Sequence, residues 1–405
     1  RPRSSTLPVR LARFPGWVLK WAFAQGLGAP LDVQRRRHPP SHPRQCWVSC
    51  AARPRLHVRR RGPVMNGASE GRRAARYRAG VMVPWRQAWH DALYGESGFY
   101  RRTEGPEGHF TTSTHGPLGV VLAEAIGRLA DREGCTHVVD LGCGRGELLT
   151  HLHTARPDLA LTGVDVVGRP NGIPDAVAWL RSPGGGSLPE GLRGLVDVLV
   201  VAHEWLDVVP CTVAQVVAPG RLTVVLVDPV TGEEGLGGPL AADDLAWCAR
   251  HWPVDDLPVG ARVEVGGTRD AAWSDLVSRV GRGTLLAVDY GHVRGERPAQ
   301  GTLTGYRAGD QVAPVPDGSC DVTAHVAVAS LDHDELTTQR EALRALGVTA
   351  ALPEHGLART DPVGYVAALS RSSAAAALMD PNGLGAFRWV LRRCPPAGAR
   401  PSTAD

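Results

Sequence analysis

Residues 138–149 read Val-Val-Asp-Leu-Gly-Cys-Gly-Arg-Gly-Glu-Leu-Leu. The paired valines predict the end of a buried β-strand, and the alternating glycines predict a tight turn that leads into a helix near Glu147. A glycine turn between a strand and a helix N-terminus can form a cradle for a nucleotide, because glycine lets the backbone approach a ligand where a Cβ atom would collide. The alternative interpretation is an ordinary turn that binds nothing.

The spacing of the glycines separates this turn from the common dinucleotide-binding turn. It reads G-x-G-x-G after Asp140, whereas dinucleotide binders carry G-x-G-x-x-G. A second acidic residue, Asp165, follows the next predicted strand, Leu159 to Val164. An acidic residue about 20 positions beyond the glycine turn is the usual partner of ribose hydroxyls in such folds. Together, the turn and Asp165 predict a ligand that contains a ribose.

Composition restricts the remaining classes of function. The formal net charge of the 405-residue chain is +4, yet residues 1–78 hold 17 arginines and one lysine against Asp32 and Glu70. The rest of the chain is therefore acidic, which argues against nucleic-acid binding. The chain contains no apolar run of about 18 residues, so no membrane span is predicted. The cysteines are scattered without a C-x-x-C pair, so no metal site is predicted and a reduced, bacterial cytoplasm is favoured.

Residues 1–78 are rich in Arg and Pro and lack sustained periodicity, so we expect a basic, disordered leader. One interpretation is a targeting sequence, which would make a mitochondrial location the alternative to the cytoplasm. The other, which we favour, is upstream sequence added by a misplaced start, since Met65 and Met82 are plausible start residues. Under that interpretation the segment does not belong to the native protein.

The remainder of the chain predicts an α/β fold. Residues 196–201 form a nearly all-apolar run, which is typical of a central parallel strand covered on both faces. Helices are expected around Asp175 to Leu180 and over Glu335 to Leu346. We divide the chain into a helical N-terminal part that contributes to the site (83–135), a ligand-binding core (136–212), a β-rich insertion or substrate subdomain (213–268), the rest of the core with the C-terminal part (269–394) and a tail (395–405).

Several blocks resemble one family in the same order. The glycine turn is similar to the first motif of the Rossmann-like S-adenosylmethionine (SAM) methyltransferases. Ala202-His-Glu-Trp-Leu-Asp-Val-Val-Pro210 resembles the Asn-Glu-x-x-Asp-Ala-Leu-Pro stretch of the MidA-like methyltransferases, which include the mitochondrial complex I assembly factor that methylates arginine. Residues 287–291, 301–307 and 321–326 match later blocks, so the resemblance covers roughly residues 90–348.

The resemblance implies a class I methyltransferase fold with a mostly parallel seven-stranded sheet. It also implies methyl transfer from SAM to a protein, with arginine as a candidate acceptor. There are two departures from the family: His203 stands where the family has Asn, and residues 108–115 lack the family's acidic residues. The alternative function is therefore a SAM-binding assembly chaperone without methyltransferase activity.

Candidate site residues follow from the turn and from the strand ends. Glu204 and Asp207 are the candidate catalytic carboxylates, because a guanidinium must be oriented and must lose a proton. The alternative is that Glu204 caps a following helix and that Asp207 lies on the surface. We expect Asp289, Tyr290 and His325 to line the substrate cleft, although His325 fits an ordinary strand as well. The residues expected to bind the cofactor are Asp140, Gly142, Cys143, Gly144, Gly146, Asp165 and His203.

Overall fold

The computed structural model of the chain describes residues 79–102 and 113–395. The predicted leader at 1–78, residues 108–112 of the block that departs from the family, and the tail beyond residue 395 lie outside the described residues. Within the described ranges, no helix is both long enough and apolar enough to span a bilayer. The same ranges contain no group of three or more His, Cys, Asp or Glu side chains that could hold a metal ion.

The helices and strands alternate over much of the chain, as expected for an α/β protein. The α-helices are α1 (Trp85–Tyr94), α2 (Gly116–Arg132), α3 (Glu147–Ala155), α4 (Ala242–His251), α5 (Gly267–Ser278), α6 (Gln339–Ala345), α7 (Leu357–Thr360) and α8 (Pro362–Leu378). The strands are β1 (Val83–Pro84), β2 (His137–Leu141), β3 (Ala160–Asp165), β4 (Val177–Arg181), β5 (Val198–His203), β6 (Thr212–Ala218), β7 (Arg221–Val227), β8 (Glu234–Pro239), β9 (Arg262–Val265), β10 (Gly283–Asp289), β11 (Thr304–Arg307), β12 (Asp310–Val312), β13 (Asp321–Thr323), β14 (Glu335–Thr338) and β15 (Arg388–Cys394).

The largest sheet has seven strands in the order β14-β15-β10-β5-β2-β3-β4. The neighbours from β10 to β4 run parallel, whereas β15 is antiparallel to both β10 and β14. The chain runs outward from β2 to β4 and then returns to the other side of β2 with β5. Ligands of open α/β sheets bind at the carboxyl ends of the strands where the order reverses in this way. The predicted α/β class is confirmed, and the sheet points to the ends of β2 and β5 as the site.

Strand β5 shows why the central sequence is almost entirely apolar. Leu199 and Val201 pack into a hydrophobic cluster with residues of α2, α3 and α8 on one face of the sheet. Val198 and Val200 pack into a second cluster with residues of α5 on the other face. Both faces are covered, so a polar residue within this strand would be buried without a partner.

The sequence between β5 and β10, together with β1, forms a second, antiparallel sheet. Its strands have the order β1-β7-β6-β9, and β8 pairs with the far side of β7. Helix α4 packs against this sheet through Trp247 and Cys248, which share a hydrophobic cluster with β6 and β9. A third sheet has the order β12-β11-β13 and brings Asp321, the first residue of β13, close to the main sheet.

The helix expected around Asp175 to Leu180 is wrong, because residues 177–181 form β4 instead. This strand pairs in parallel with β3 at the edge of the main sheet. Trp179 lies over Gly163 of β3, where a Cβ atom would come within 2.7 Å of the indole ring. The contact with a glycine on the neighbouring strand holds Trp179 in the sheet, and local sequence gives no sign of it.

The helix expected over Glu335 to Leu346 begins four residues later than predicted. Residues 335–338 form β14, which pairs with β15. Thr338 is the N-cap of α6, and its hydroxyl accepts a hydrogen bond from the Glu341 N–H while the Glu341 side chain bonds the Thr338 N–H. This capping box fixes the helix start at Gln339 and leaves the preceding residues free to pair as a strand.

Candidate functional site

A cavity of about 470 Å³ lies at the carboxyl ends of β2, β3 and β5. This volume falls within the range of roughly 300–1,000 Å³ that is typical of small-molecule sites. One side of the wall consists of the glycine turn, the start of α3 and the end of β3. The remaining lining residues include the segment after β5, with Tyr94, Tyr100, Tyr290 and Asp321, and also Arg101 and Arg102. We call these two groups of residues the donor side and the acceptor wall.

The glycine turn at 142–146 has a backbone that only glycine adopts without strain. The φ angles of Gly142, Gly144 and Gly146 are 73°, 59° and 81°. A Cβ atom on Gly146 would come within 2.7 Å of Ile173 Cδ1, so this position has no room for a side chain. At Gly144 the nearest atom to a Cβ would be Glu147 Oε2 at 3.6 Å, so a side chain there would extend into the cavity. The turn is therefore a cradle that needs bare backbone.

Asp165 connects the end of β3 to the glycine turn. Its Oδ2 accepts a hydrogen bond from the Gly144 N–H at 2.9 Å, and its Oδ1 accepts one from the Val167 N–H at 3.1 Å. Burial raises the pKa of Asp165 to about 6, although these backbone N–H groups act in the opposite direction. A carboxylate has about four acceptor positions, so Asp165 can still accept hydrogen bonds from a ligand in the cavity.

The donor side holds two further acidic groups, whose pKa values are shifted in opposite directions. Burial, with smaller effects from the charges of Glu147 and Asp165, raises the pKa of Asp140 to about 8. Burial also acts to raise the pKa of Glu147, but hydrogen bonds from His115 and from the backbone outweigh it and lower that pKa. His115 Nε2 lies 3.4 Å from Glu147 Oε1. Burial raises the pKa of the Cys143 thiol, which also lines the cavity.

Glu204 directly follows β5 and lies on the cavity wall in a strained conformation. Its φ is 52°, and such a conformation costs a non-glycine residue about 1–3 kcal/mol and is common at functional sites. The Glu204 N–H donates to the Val288 carbonyl at 2.8 Å, and Oε2 accepts the Tyr290 hydroxyl at 3.3 Å. The next helix along the chain is α4, so the alternative that Glu204 caps a following helix is wrong.

His203 and Asp207 lie on either side of Glu204 in the sequence, and both line the cavity. His203 Nε2 lies 2.8 Å from the Ser113 hydroxyl, and His203 Nδ1 lies 3.6 Å from Glu204 Oε1. Asp207 is only 2% exposed, so the alternative that it lies on the surface is wrong. Its Oδ2 accepts a hydrogen bond from the Thr323 hydroxyl at 2.6 Å.

Of the three residues predicted to line the substrate cleft, one lines the cavity and two do not. Tyr290 lines the cavity, whereas Asp289 and His325 are not among its lining residues. Asp289 Oδ2 accepts hydrogen bonds from the Leu206 and Asp207 N–H groups at 3.0 and 3.1 Å. The His325 ring packs against Tyr290 with 5.7 Å between ring centroids. Asp289 and His325 therefore contact residues of the acceptor wall without lining the cavity themselves.

Sequence reasoning missed two residues of the acceptor wall, Tyr94 and Tyr100, which line the cavity together with Asp321. The Tyr100 hydroxyl donates to Asp321 Oδ1 at 2.8 Å, and the Tyr94 hydroxyl donates to the Val208 carbonyl at 3.1 Å. The two tyrosine rings are 5.6 Å apart between centroids. The only signal in the sequence was the short turn with an aromatic residue at each end, and nothing local connects that turn to β13.

The chain is similar to known SAM-dependent proteins. Residues 166–349 match the family described as "Putative S-adenosyl-L-methionine-dependent methyltransferase". A COG1565 superfamily member from Burkholderia thailandensis, bound to S-adenosyl-homocysteine (SAH), is 25% identical with a TM-score of 0.60, over 77% of this chain and 88% of its own. A COG1565 superfamily structure from the same organism is 23% identical with a TM-score of 0.59, over 80% of this chain and 93% of its own, which supports the fold. No curated protein matches the chain.

The cavity fits SAM on its own geometry. The turn leaves bare backbone where a nucleoside would lie, and Asp165 keeps acceptor positions for ribose hydroxyls beside it. The family match covers residues C-terminal to the turn, and the SAH-bound relative shares the fold that forms the cavity. These observations agree on the cofactor and on the reaction class: the chain is a SAM-dependent methyltransferase that uses SAM, and it is similar to the matched family and to the COG1565 superfamily structures.

Proposed function

We propose that this methyltransferase modifies a protein, at a side-chain nitrogen of arginine. The observation that carries the proposal is the acceptor wall, on which Glu204, Asp207 and Asp321 line one cavity together with three tyrosines. Carboxylates pair with a guanidinium through charge-assisted, often bidentate hydrogen bonds, and aromatic faces attract cations. A wall of this kind favours a cationic acceptor over a neutral or anionic one.

In this proposal Glu204 orients the acceptor and accepts its proton. When bound, SAM would supply an electrophilic methyl group to the acceptor nitrogen, with its sulfur as the leaving group. A protonated guanidinium is a poor nucleophile, so the nitrogen must lose a proton as the N–C bond forms. The Tyr290 hydroxyl fixes the Glu204 carboxylate, and the positive φ of Glu204 directs this residue into the cavity. Positioning of this kind can supply about 7–11 kcal/mol of the barrier in favourable cases.

A second groove supports a polypeptide as the acceptor. It has a volume of about 850 Å³, and Gly184 lines both this groove and the cavity. We propose that residues 213–268 serve as the substrate subdomain, because they form one side of the groove. Their contribution comes from β7, the end of β8, the start of α4 and the start of α5, through Val224, Pro239, Ala241, Asp244 and Thr268.

The acceptor class can be tested with labelled cofactor. Incubation of the protein with methyl-labelled SAM and a bacterial lysate is expected to label the protein fraction, and hydrolysis of that fraction should yield labelled methylarginine. Ultrafiltration separates small acceptors from protein acceptors. Label confined to the filtrate would disprove a protein acceptor, label on another residue would disprove arginine, and SAH binding without any label would support the chaperone alternative.

The affinity for SAH is expected to fall as the pH falls from 7 to 5. Because burial raises the pKa of Asp165 to about 6, this side chain becomes protonated over this interval. The charged form is the better acceptor for ribose hydroxyls, and protonation one pH unit below the pKa should weaken binding by up to about tenfold. Isothermal titration calorimetry at several pH values measures this change. The control is Asp165→Asn, which should bind more weakly at pH 7 and lose this pH dependence; an unaltered pH dependence in the variant would exclude Asp165 as its source.

A further inference from the structure

The peptide groups of residues 206–209 are held from two directions by buried charged side chains. Asp289 Oδ2 accepts the N–H groups of Leu206 and Asp207 at 3.0 and 3.1 Å. Arg269 donates through Nη2 to the Asp207 carbonyl at 2.8 Å and through Nε to the Val209 carbonyl at 3.1 Å. The carboxyl group thus binds the donors of this segment, while the guanidinium binds its acceptors.

Arg269 also connects this segment to the region that carries Asp321. Its Nη1 donates to the His325 carbonyl at 2.7 Å, and the guanidinium lies 5.6 Å from the centroid of the Trp89 ring. Arg269 is 1% exposed, and its hydrogen bonds to Asp207, Val209 and His325 all go to backbone carbonyls. The Thr323 hydroxyl forms a second link between the two segments through Asp207 Oδ2. One buried guanidinium therefore bonds both the segment after β5 and the stretch that follows Asp321.

We propose that Asp289 and Arg269 are positioning residues that fix the segment after β5, so that the carboxylates of Glu204 and Asp207 face the donor side at a set distance. This inference rests on the proposed roles of Glu204 and Asp207. Neither Asp289 nor Arg269 lines the cavity, so neither touches the substrate directly. The cleft role predicted for Asp289 is replaced by a role behind the wall.

The chemistry of Asp289 suggests a matched pair of variants. Burial, together with the charges of Asp207 and Glu204, raises the pKa of Asp289 well above its ordinary value, although the hydrogen bond from the Asp207 N–H acts in the opposite direction. Both hydrogen bonds from the segment go to the same oxygen, Oδ2. An asparagine has nearly the same shape as an aspartate and can accept both bonds on its single carbonyl oxygen. Asp289→Asn should keep the segment in place, whereas Asp289→Ala should release it.

The experiment measures three quantities for wild type, Asp289→Asn and Asp289→Ala: the rate of methyl transfer to lysate protein, the SAH dissociation constant, and hydrogen–deuterium exchange of the amides at 206 and 207. Asp289→Ala is expected to exchange faster at these amides and to lose at least about tenfold in rate with an unchanged SAH dissociation constant, because misplacement by about 1 Å can cost 100-fold. Asp289→Asn is expected to match wild type in all three measurements.

The outcomes separate this inference from the proposed function. If Asp289→Asn is folded but loses activity, or if Asp289→Ala keeps both its rate and its amide protection, the positioning role is wrong. If wild type transfers no methyl group to protein while the exchange pattern follows expectation, the proposed protein acceptor is wrong. The inference that Asp289 and Arg269 fix the segment after β5 is then still supported. If the alanine variant does not fold, Arg269→Lys provides the second test. The three carbonyls are bonded by three different nitrogens of the planar guanidinium, and the single nitrogen of a lysine does not reproduce that fork, so normal rate and protection in this variant would overturn the inference.

Discussion

Replacement of Glu204 by glutamine is expected to lower the rate of methyl transfer by about 10²–10⁴-fold, the usual contribution of a general acid or base. Glutamine has nearly the same volume and can still accept the Tyr290 hydroxyl bond, so the wall should keep its shape. What the variant loses is the charge that orients a cationic acceptor and the capacity to accept its proton. The measurement is the initial rate of label incorporation at saturating SAM, with the SAH dissociation constant determined in parallel and expected to stay the same.

The matched control is Glu190→Gln. The Glu190 side chain is 83% exposed and pairs with Arg193 three residues further on, so the same loss of charge occurs away from the cavity. This control should transfer methyl groups at the wild-type rate. If Glu204→Gln transfers methyl groups as fast as the control does, Glu204 does not accept the proton, and Asp207 becomes the remaining candidate of the two predicted carboxylates.

Replacement of Gly144 by valine is expected to weaken SAH binding by about 10–100-fold. The φ of Gly144 is 59°, which disfavours a β-branched side chain, and the added atoms would enter the cavity beside Asp165. Overpacking of a fitted site costs about 1–3 kcal/mol, and 1.4 kcal/mol corresponds to tenfold in affinity. Titration calorimetry measures the loss directly, and methyl transfer at a fixed SAM concentration should fall with it.

Gly134→Val separates loss of the ligand from loss of the fold. Gly134 has a similar φ of 68°, and a Cβ atom built there meets nothing within 4 Å. Both variants should therefore lose about 1–2 kcal/mol of unfolding free energy from backbone strain. Only Gly144→Val should lose SAH, whereas equal SAH affinity in the two variants would show that the cofactor does not lie against the turn.

Features that depend on local sequence could be predicted. The glycine turn, Asp165 and Glu204 lie at the ends of strands whose apolar runs are visible in the sequence, and parallel strands bring these ends to one edge of the sheet. In the structure Asp165 lies beside Gly144, and Glu204 lines the same cavity. The roles of these residues in binding and catalysis remain predictions that the variants above can test.

Features that depend on contacts between distant segments could not be predicted. Trp179 lies in a strand because a glycine on β3 receives its ring, and Tyr100 reaches the cavity because its hydroxyl meets Asp321, which lies 221 positions later in the chain. Asp289 stands at the end of a strand like a cleft residue, yet its carboxyl group turns toward the backbone after β5. No local pattern distinguishes a side chain that faces a ligand from one that supports the wall.

Strand β15 has a consequence for how the protein is made. It lies between β10 and β14 although it is the last of the three to be synthesised. During synthesis on the ribosome, the edge of β10 that pairs with β15 therefore stays unpaired until residue 394 has left the exit tunnel. Exposed edges of this kind recruit other unfinished chains, so this enzyme should depend on chaperones during translation more than proteins whose sheets close in sequence order.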